Sequence, residues 1–285
     1  MDVSDLAAHL AGWAPPPVDV TGRIDTWPAA AFAALLDQPS PVHAVGDPLP
    51  PLWHWFHLLD APARAELGDD GHPAHGPFLP PLPHRRRMFA GGRLEVREPL
   101  RIGDEIGRRS SLVSATPKAG RSGAMVFVTV RHEFHRAGAL AVVEEQDFAY
   151  RSQPPGVERG RPVSAPVAGE PEPAAWQLRV EPDAAMLFRF SALTYNTHRI
   201  HYDQPYVTQV EGYPGLVVHG PLLALLLLEL PRRNAPGREV TGFAYRLRRP
   251  AFAGTPIVAS GAADAELAAG VPGQAPSVTG AVTLR

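Results

Sequence analysis

An almost uninterrupted leucine run near the C-terminus limits most strongly how this chain can fold. Residues 222–230 read LLALLLLEL, and only Glu229 interrupts the apolar run. Pro221 suits the first turn of a helix, where its missing N–H costs nothing, and Gly220 is an acceptable N-cap. The run is too short for a bilayer, which takes roughly 20 apolar residues. It predicts a helix over 221–230 that is apolar nearly all round and therefore buried within the protein.

Segments typical of strands lie on both sides of this helix. The strands predicted before it span 92–98, 105–115, 125–134, 139–150 and 176–180, and those after it span 243–248, 256–262 and 277–284. Short strands separated by turn residues favour an antiparallel sheet. We therefore predict an α+β fold in which antiparallel strands wrap around a buried central helix.

The N-terminal half shows further helical patterns. Apolar residues recur at helical spacing over 3–13 and 28–36. The aromatic-rich segment 52–59, with its flanks, is our best candidate for the central helix of this half. A stretch at 68–83 is rich in Gly, Pro and His, and we interpret it as a polar loop.

Histidines in the N-terminal half raise the question of a metal site. His54 and His57 share a spacing of three, and so do His72 and His75. Two His ligands without an acidic partner nearby are weak evidence for zinc, so we predict no metal.

A proline-rich stretch predicts the domain boundary. Residues 152–175 contain six prolines and few large apolar side chains, so this stretch buries too little surface to fold alone. We predict an N-terminal domain at 1–151, a linker at 152–175 and a C-terminal catalytic domain at 176–285.

Composition excludes several classes of function. The 285 residues carry a formal net charge of -2, without the basic excess of a nucleic-acid-binding protein. The chain has no cysteine, which excludes a thiol nucleophile and Cys-ligated metals. The acidic N-terminus lacks the basic start and apolar core of a signal peptide, so we expect a cytoplasmic protein without membrane association.

The segment 190–203, FSALTYNTHRIHYD, concentrates chemically useful side chains. It resembles the Asp-x-Asn-Pro-x-His motif of MaoC-like, (R)-specific enoyl-CoA hydratases, with 196–201 aligned to the motif. The downstream segment 215–221, GLVVHGP, resembles the His-Gly segment that opens the central helix in that family. The resemblance is strong over 188–224 and thin elsewhere.

Two positions depart from the family motif. Asn196 stands where the motif has aspartate, and His198 stands where it has asparagine. The phrase around His201 is closer to one branch, the mesaconyl-C4-CoA hydratases and mitochondrial-type 3-hydroxyacyl-thioester dehydratases. The resemblance implies a double hotdog fold, in which an N-terminal hotdog-like half shapes the acyl tunnel and the C-terminal half carries the catalytic residues.

The resemblance also implies roles for individual residues. His201 matches the catalytic histidine, and an imidazole can transfer protons at neutral pH, first as base and then as acid. Asn196 cannot act as a base, so it would position the water, and His198 would share the catalytic task. The backbone N–H near Gly220 would polarise the thioester carbonyl. Four further residues are candidates for the substrate site or its walls: Tyr195, Arg199, Tyr202 and His219.

The substrate stays open between two classes. One is a short branched dicarboxylyl-CoA of the mesaconyl type, whose free carboxylate would need a cation such as Arg199 or Arg87. The other is a 3-hydroxyacyl thioester of fatty acid or polyketide metabolism, carried by CoA or an acyl-carrier protein. We expect no cofactor beyond the CoA thioester substrate, and a possible homodimer. A hotdog thioesterase and a catalytically silent acyl-CoA-binding protein are the alternative functions.

Overall fold

A ten-stranded antiparallel sheet organises the molecule, which the computed structural model describes over residues 1–38, 44–120, 123–153 and 165–285. Its strands are β1 (Val18–Arg23), β2 (Arg85–Val96), β3 (Glu105–Gly120), β4 (Gly123–Arg136), β5 (Ala139–Ser152), β6 (Trp176–Val180), β7 (Val240–Leu247), β8 (Ile257–Gly261), β9 (Leu267–Gly270) and β10 (Val278–Leu284). The α-helices are α1 (Val3–Leu10), α2 (Thr26–Leu35), α3 (Ala184–Leu193) and α4 (Gly220–Asn234).

The two halves of the chain contribute five strands each and meet at β2 and β7. The order across the sheet is β1-β3-β4-β5-β2-β7-β10-β9-β8-β6. Counted outward from the β2–β7 junction, both halves therefore show the same succession of strands. Of the predicted linker, residues 154–164 lie outside the described residues, and 165–175 have no regular secondary structure.

The predicted central helix is confirmed as α4, and it continues beyond its predicted end to Asn234. Pro231 lies inside the helix, although a proline in that position removes a helical hydrogen bond. The buried carboxylate of Glu229 stabilises the extra turn, since it accepts hydrogen bonds from Arg232 and Arg233. No helix among the described residues has both the length and the apolar character that crossing a membrane requires.

The helix predicted over 52–59 is wrong. This segment contains a single 3₁₀ turn, Trp53–Phe56, which follows the consecutive prolines Pro50 and Pro51. Leu52 has a φ of 68°, a left-handed conformation that interrupts any helix at that point. The turn still fills the core, because the side chains of Leu52 and Trp53 are almost completely buried.

A buried carboxylate fixes this turn to the sheet. Glu144 on β5 is 1% exposed and lies 2.7 Å from His54 Nε2. It also accepts hydrogen bonds from Trp55 Nε1 at 2.7 Å and from Gln146 at 2.8 Å. Burying a carboxylate is costly unless its oxygens have partners, and here three groups provide them. His54 therefore belongs to the core.

Candidate active site

The segment between α3 and α4 forms the candidate site. It contains a 3₁₀ turn, Arg199–His201, and one turn of π-helix, Tyr206–Val210. Asp203 joins the two turns, since its carboxylate accepts the backbone N–H of Tyr206 at 3.0 Å. Val217 N donates to the carbonyl of Ile200 at 2.9 Å, which ties the segment to the chain just before α4.

His201 is oriented by the backbone and lies in the interior. Its exposed fraction is 7%, and its Nδ1 lies 2.7 Å from the carbonyl oxygen of Val217. A carbonyl only accepts, so Nδ1 carries the proton and Nε2 keeps its lone pair. Burial lowers the pKa of His201 to about 4, against the opposing effect of the Val217 hydrogen bond. At neutral pH the ring is uncharged and can accept a proton.

His219 supports the ring of His201. The two rings stack with centroids 3.6 Å apart and an interplanar angle of 16°. His219 Nε2 lies 2.8 Å from the hydroxyl of Ser191, and burial holds the pKa of His219 well below its ordinary value. Because His219 is also the residue before α4, the stack fixes His201 relative to the start of that helix.

The first turn of α4 lies beside the histidines and has little free space. A Cβ at Gly220 would come within 2.5 Å of Leu247 Cδ1 and 3.5 Å of Phe89 Cδ1. The N–H groups of a first helical turn have no acceptor within the helix. Pro221 has no N–H, so Gly220 and Leu222 are the residues whose N–H groups can bind an oxyanion there.

Asn196 and His198 are linked to each other through the backbone. The Oδ1 of Asn196 accepts the N–H of His198 at 3.0 Å, a local turn that sets the direction of the His198 side chain. The rings of His198 and His201 meet edge to face, with centroids 5.4 Å apart. Asn196 thus stabilises the turn through its side-chain oxygen, whereas the ring of His198 faces His201.

A loop from the N-terminal half completes the site. The hydroxyl of Thr197 donates to the carbonyl of Gly71 at 2.6 Å, and Arg199 N donates to the carbonyl of Asp70 at 2.9 Å. Gly71 has a φ of 86°, and a Cβ there would lie 1.9 Å from the carbonyl oxygen of Thr197. The close approach of two backbones therefore requires glycine at this position.

This loop places a carboxylate and an imidazole next to His198. Asp70 accepts from His72 twice, at 2.9 Å from the backbone N–H and at 3.0 Å from ring Nδ1. The ring of His72 lies against that of His198 with centroids 3.9 Å apart. One ligand atom from each of Asp70, His72 and His198 lies within 4.8 Å of the others. The stretch 68–83 is a loop, as predicted, but the expectation that its histidines lack an acidic partner is wrong for His72, which contacts Asp70.

Opposing effects set the charges in this cluster. Burial disfavours the ionised form of Asp70, but the hydrogen bonds from His72 outweigh it and hold the pKa of Asp70 below its ordinary value. Burial is the main cause that lowers the pKa of His72, and the hydrogen bond to Asp70 partly opposes it. Burial and the neighbouring His72 lower the pKa of His198. An ionised Asp70 beside neutral imidazoles is the resulting state at neutral pH.

The other three candidates lie further from the interior. Tyr195 is 55% exposed and Tyr202 is 44% exposed, so neither is enclosed. Arg199 is occupied: it contacts the carboxylate of Asp203 at 2.9 Å and donates to the carbonyl of Asp69 at 2.9 Å. Arg199 therefore fastens the N-terminal loop to the site segment.

Three consecutive arginines on β2 reach the neighbourhood of the site with different partners. Arg85 donates to backbone carbonyls, and Arg86 forms an ion pair with Glu211. Arg87 lies over the ring of Phe148, 4.3 Å from its centroid. Within the described residues it has no hydrogen bond or ion pair. It is half-buried and close enough to contribute to the lowered pKa of His72, whose main cause is burial.

The sequence reasoning missed Asp70 and His72. Their signal was the triplet Asp70-Gly71-His72, in which a short acidic side chain can bind the residue two positions later. Only the folded chain shows that this triplet meets the segment near His201.

The chain matches known proteins over most of its length. The family model for hydroxyacyl-thioester dehydratase type 2 matches residues 52–253. The mesaconyl-C(4)-CoA hydratase of Chloroflexus aurantiacus is 49% identical over 226 residues, covering 79% of this chain and 78% of that protein. The mitochondrial hydroxyacyl-thioester dehydratase type 2 of Schizosaccharomyces pombe is 26% identical over 235 residues, covering 73% and 76%.

Solved structures show the same fold at low sequence identity. A MaoC-like dehydratase from Phytophthora capsici superimposes with a TM-score of 0.66 at 13% identity and covers 98% of both chains. HtdX of Mycobacterium tuberculosis superimposes with a TM-score of 0.60 at 17% identity, covering 94% of this chain and 99% of its own. Together with the ten-stranded sheet, these neighbours confirm the predicted double hotdog fold.

Proposed function

The chain belongs to the hydroxyacyl-thioester dehydratase type 2 family, and we propose that His201 carries out its proton transfers on a mesaconyl-type dicarboxylyl-CoA. As a member of this family the protein is a hydro-lyase that interconverts enoyl and 3-hydroxyacyl thioesters. The observation that carries the proposal is the geometry of His201. Its Nδ1–H is fixed on the carbonyl of Val217 at 2.7 Å, so its Nε2 is an uncharged acceptor beside the start of α4.

In the proposed reaction, these groups act in sequence. His201 Nε2 takes a proton from water as the water oxygen bonds to Cβ. The electrons of the double bond move towards Cα and the thioester carbonyl. The N–H groups in the first turn of α4 stabilise the charge on the carbonyl oxygen, an arrangement typically worth several kcal/mol in other enzymes. His201 then gives the proton to Cα, so one water has been added and the imidazole is neutral again.

We assign Arg87 to binding the free carboxylate of the substrate. In mesaconyl-C4-CoA this carboxylate is attached to Cβ, so its cation must lie beside the proton-transfer groups. Arg199 is engaged with Asp203, whereas Arg87 has no anionic partner among the described residues. Arg87 shares a face of β2 with Phe89, whose ring lies 3.5 Å from the position of a Cβ on Gly220. Arg87 is therefore the next residue along that face of β2 from Phe89, which lies beside the first turn of α4.

Hydration of two thioesters tests the proposed function. We expect the purified protein to hydrate mesaconyl-C4-CoA with a higher kcat/KM than crotonyl-CoA, which has no free carboxylate. The loss of enoyl absorbance and the release of free CoA are followed in parallel. Hydration of crotonyl-CoA alone would contradict the dicarboxylate proposal, and release of CoA without hydration would identify a thioesterase.

Substitution of Arg87 tests the carboxylate contact. We expect Arg87→Gln to lower the ratio of kcat/KM for mesaconyl-C4-CoA over crotonyl-CoA by 10- to 100-fold, because a hydrogen bond to a charged group contributes about 1.5 to 3 kcal/mol. Arg93→Gln is the matched control, since Arg93 lies on the same strand and pairs with Glu145 at the surface. An unchanged ratio of kcat/KM values in Arg87→Gln would show that Arg87 does not bind the carboxylate.

A further inference from the structure

The structure assigns a second water-binding group to this site: His72, held by Asp70, accepts a hydrogen bond from the attacking water. The inference rests on the proposed function, because the water it orients is the one that His201 deprotonates. It places part of the catalytic machinery in the N-terminal half of the chain, which the sequence motif does not include.

The contact with Asp70 selects one tautomer of His72. A carboxylate only accepts, so the contact of Asp70 with ring Nδ1 at 3.0 Å places the proton on Nδ1. The lone pair is then on Nε2, and His72 can accept from a water but cannot donate to it. Asp70 orients the imidazole in the way that a carboxylate orients the histidine of a catalytic triad.

His72 lies next to the segment that contains His198 and His201. Its ring lies against His198, with centroids 3.9 Å apart, and His198 in turn meets His201 at 5.4 Å. The loop is fixed to the site segment on both sides of His198, through Thr197 and through Arg199. The imidazole of His72 is therefore held beside His198, whose ring in turn faces that of His201.

The attacking water has a second O–H group, which also needs an acceptor. A water has two O–H bonds, and His201 takes the proton from only one of them. We expected Asn196 to hold the water, but one lone pair of its Oδ1 already accepts the backbone N–H of His198. Nε2 of His72 accepts the second O–H, which remains on the oxygen when the O–Cβ bond forms. It becomes the hydroxyl hydrogen of the 3-hydroxyacyl product, and His72 is neither protonated nor deprotonated.

Two substitutions with matched controls test the assignment through activity. We expect His72→Ala to lower kcat by about 100-fold with little change in KM, because a misplaced reacting group can cost about that factor. His72→Gln recovers part of the activity, because its amide oxygen can accept near the position of Nε2. His75→Ala is the control on the same loop, where His75 is exposed. Equal kcat values for His72→Ala and His75→Ala would overturn the assignment.

The pH profile separates orientation of the ring from a purely structural role. Burial is the main cause that lowers the pKa of His72 and Arg87 adds to it, while Asp70 and Glu211 oppose the shift. His72 accepts the water only when unprotonated, so activity falls as the pH drops through its pKa. Asp70→Asn removes one raising charge, and we expect the acid limb of kcat to move to lower pH. Asp69→Asn is the control, since Asp69 is the exposed neighbour. An acid limb unmoved by Asp70→Asn would overturn the role of Asp70.

Two measurements do not depend on turnover of the thioesters. Imidazole ¹⁵N shifts of the full chain are expected to show His72 with its proton on Nδ1, and a proton on Nε2 would overturn the assignment even in a protein that hydrates neither thioester. Activity that EDTA removes and Zn²⁺ restores would also overturn it. The three atoms of Asp70, His72 and His198 would then hold a metal, and the lone pair of His72 would be occupied.

Discussion

Replacing His201 by asparagine is expected to lower kcat for hydration by about 10³-fold, within the range that general acid–base groups contribute. The asparagine side chain can donate to the carbonyl of Val217, as His201 Nδ1 does at 2.7 Å. It has no acceptor at the position of Nε2. The substitution therefore removes the base and keeps the hydrogen bond that orients the segment. Steady-state kinetics on mesaconyl-C4-CoA and crotonyl-CoA measure the loss.

A second substitution at this position separates chemistry from stability. His201→Ala also removes the base but leaves the buried carbonyl of Val217 unpaired, which costs about 1 to 3 kcal/mol. We expect equal losses of activity in the two variants and a lower melting temperature only for His201→Ala. His201→Asn with near wild-type hydration would show that another group takes the proton from water.

The sequence predicted those parts of the site that are local in the chain. His201, His198 and Gly220 were found because a motif and a helix start lie within 25 residues of one another. The central helix was equally clear, because an all-round apolar surface has to be buried. Patterns of this kind depend on neighbours in sequence and not on the rest of the fold.

The parts that depend on distant contacts were not predictable in the same way. The segment 52–59 has the composition of a buried helix, but two prolines before it and the positive φ of Leu52 leave a single turn. The short strands β1 and β9 were also missed, and each is stabilised by pairing with neighbours in the sheet. His72 was not predicted as a site residue, because the segment that its loop contacts lies more than 120 residues later in the chain.

Gly71→Ala is expected to abolish the contribution of the N-terminal loop to catalysis and to lower kcat by about 100-fold, as much as removal of the His72 side chain. A Cβ on Gly71 would lie 1.9 Å from the carbonyl oxygen of Thr197, so backbone meets backbone and no rotamer relieves the clash. The loop must move away from the site segment, and His72 moves with it. We compare kcat of Gly71→Ala, His72→Ala and the double variant. If both substitutions act through His72, the double variant loses no more activity than either single variant, because coupled effects are not additive.

Gly138→Ala is the control that separates two effects of Gly71→Ala. It places an alanine in a left-handed conformation, but without a steric clash. Gly138 has a φ of 81°, close to the 86° of Gly71, and nothing lies within 4 Å of its added Cβ. Both variants lose about 1 to 2 kcal/mol of stability for a left-handed alanine. Only Gly71→Ala is expected to lose activity as well. Equal kcat in the two variants would mean that catalysis does not depend on how closely the loop packs against Thr197, and that the C-terminal half performs the chemistry alone.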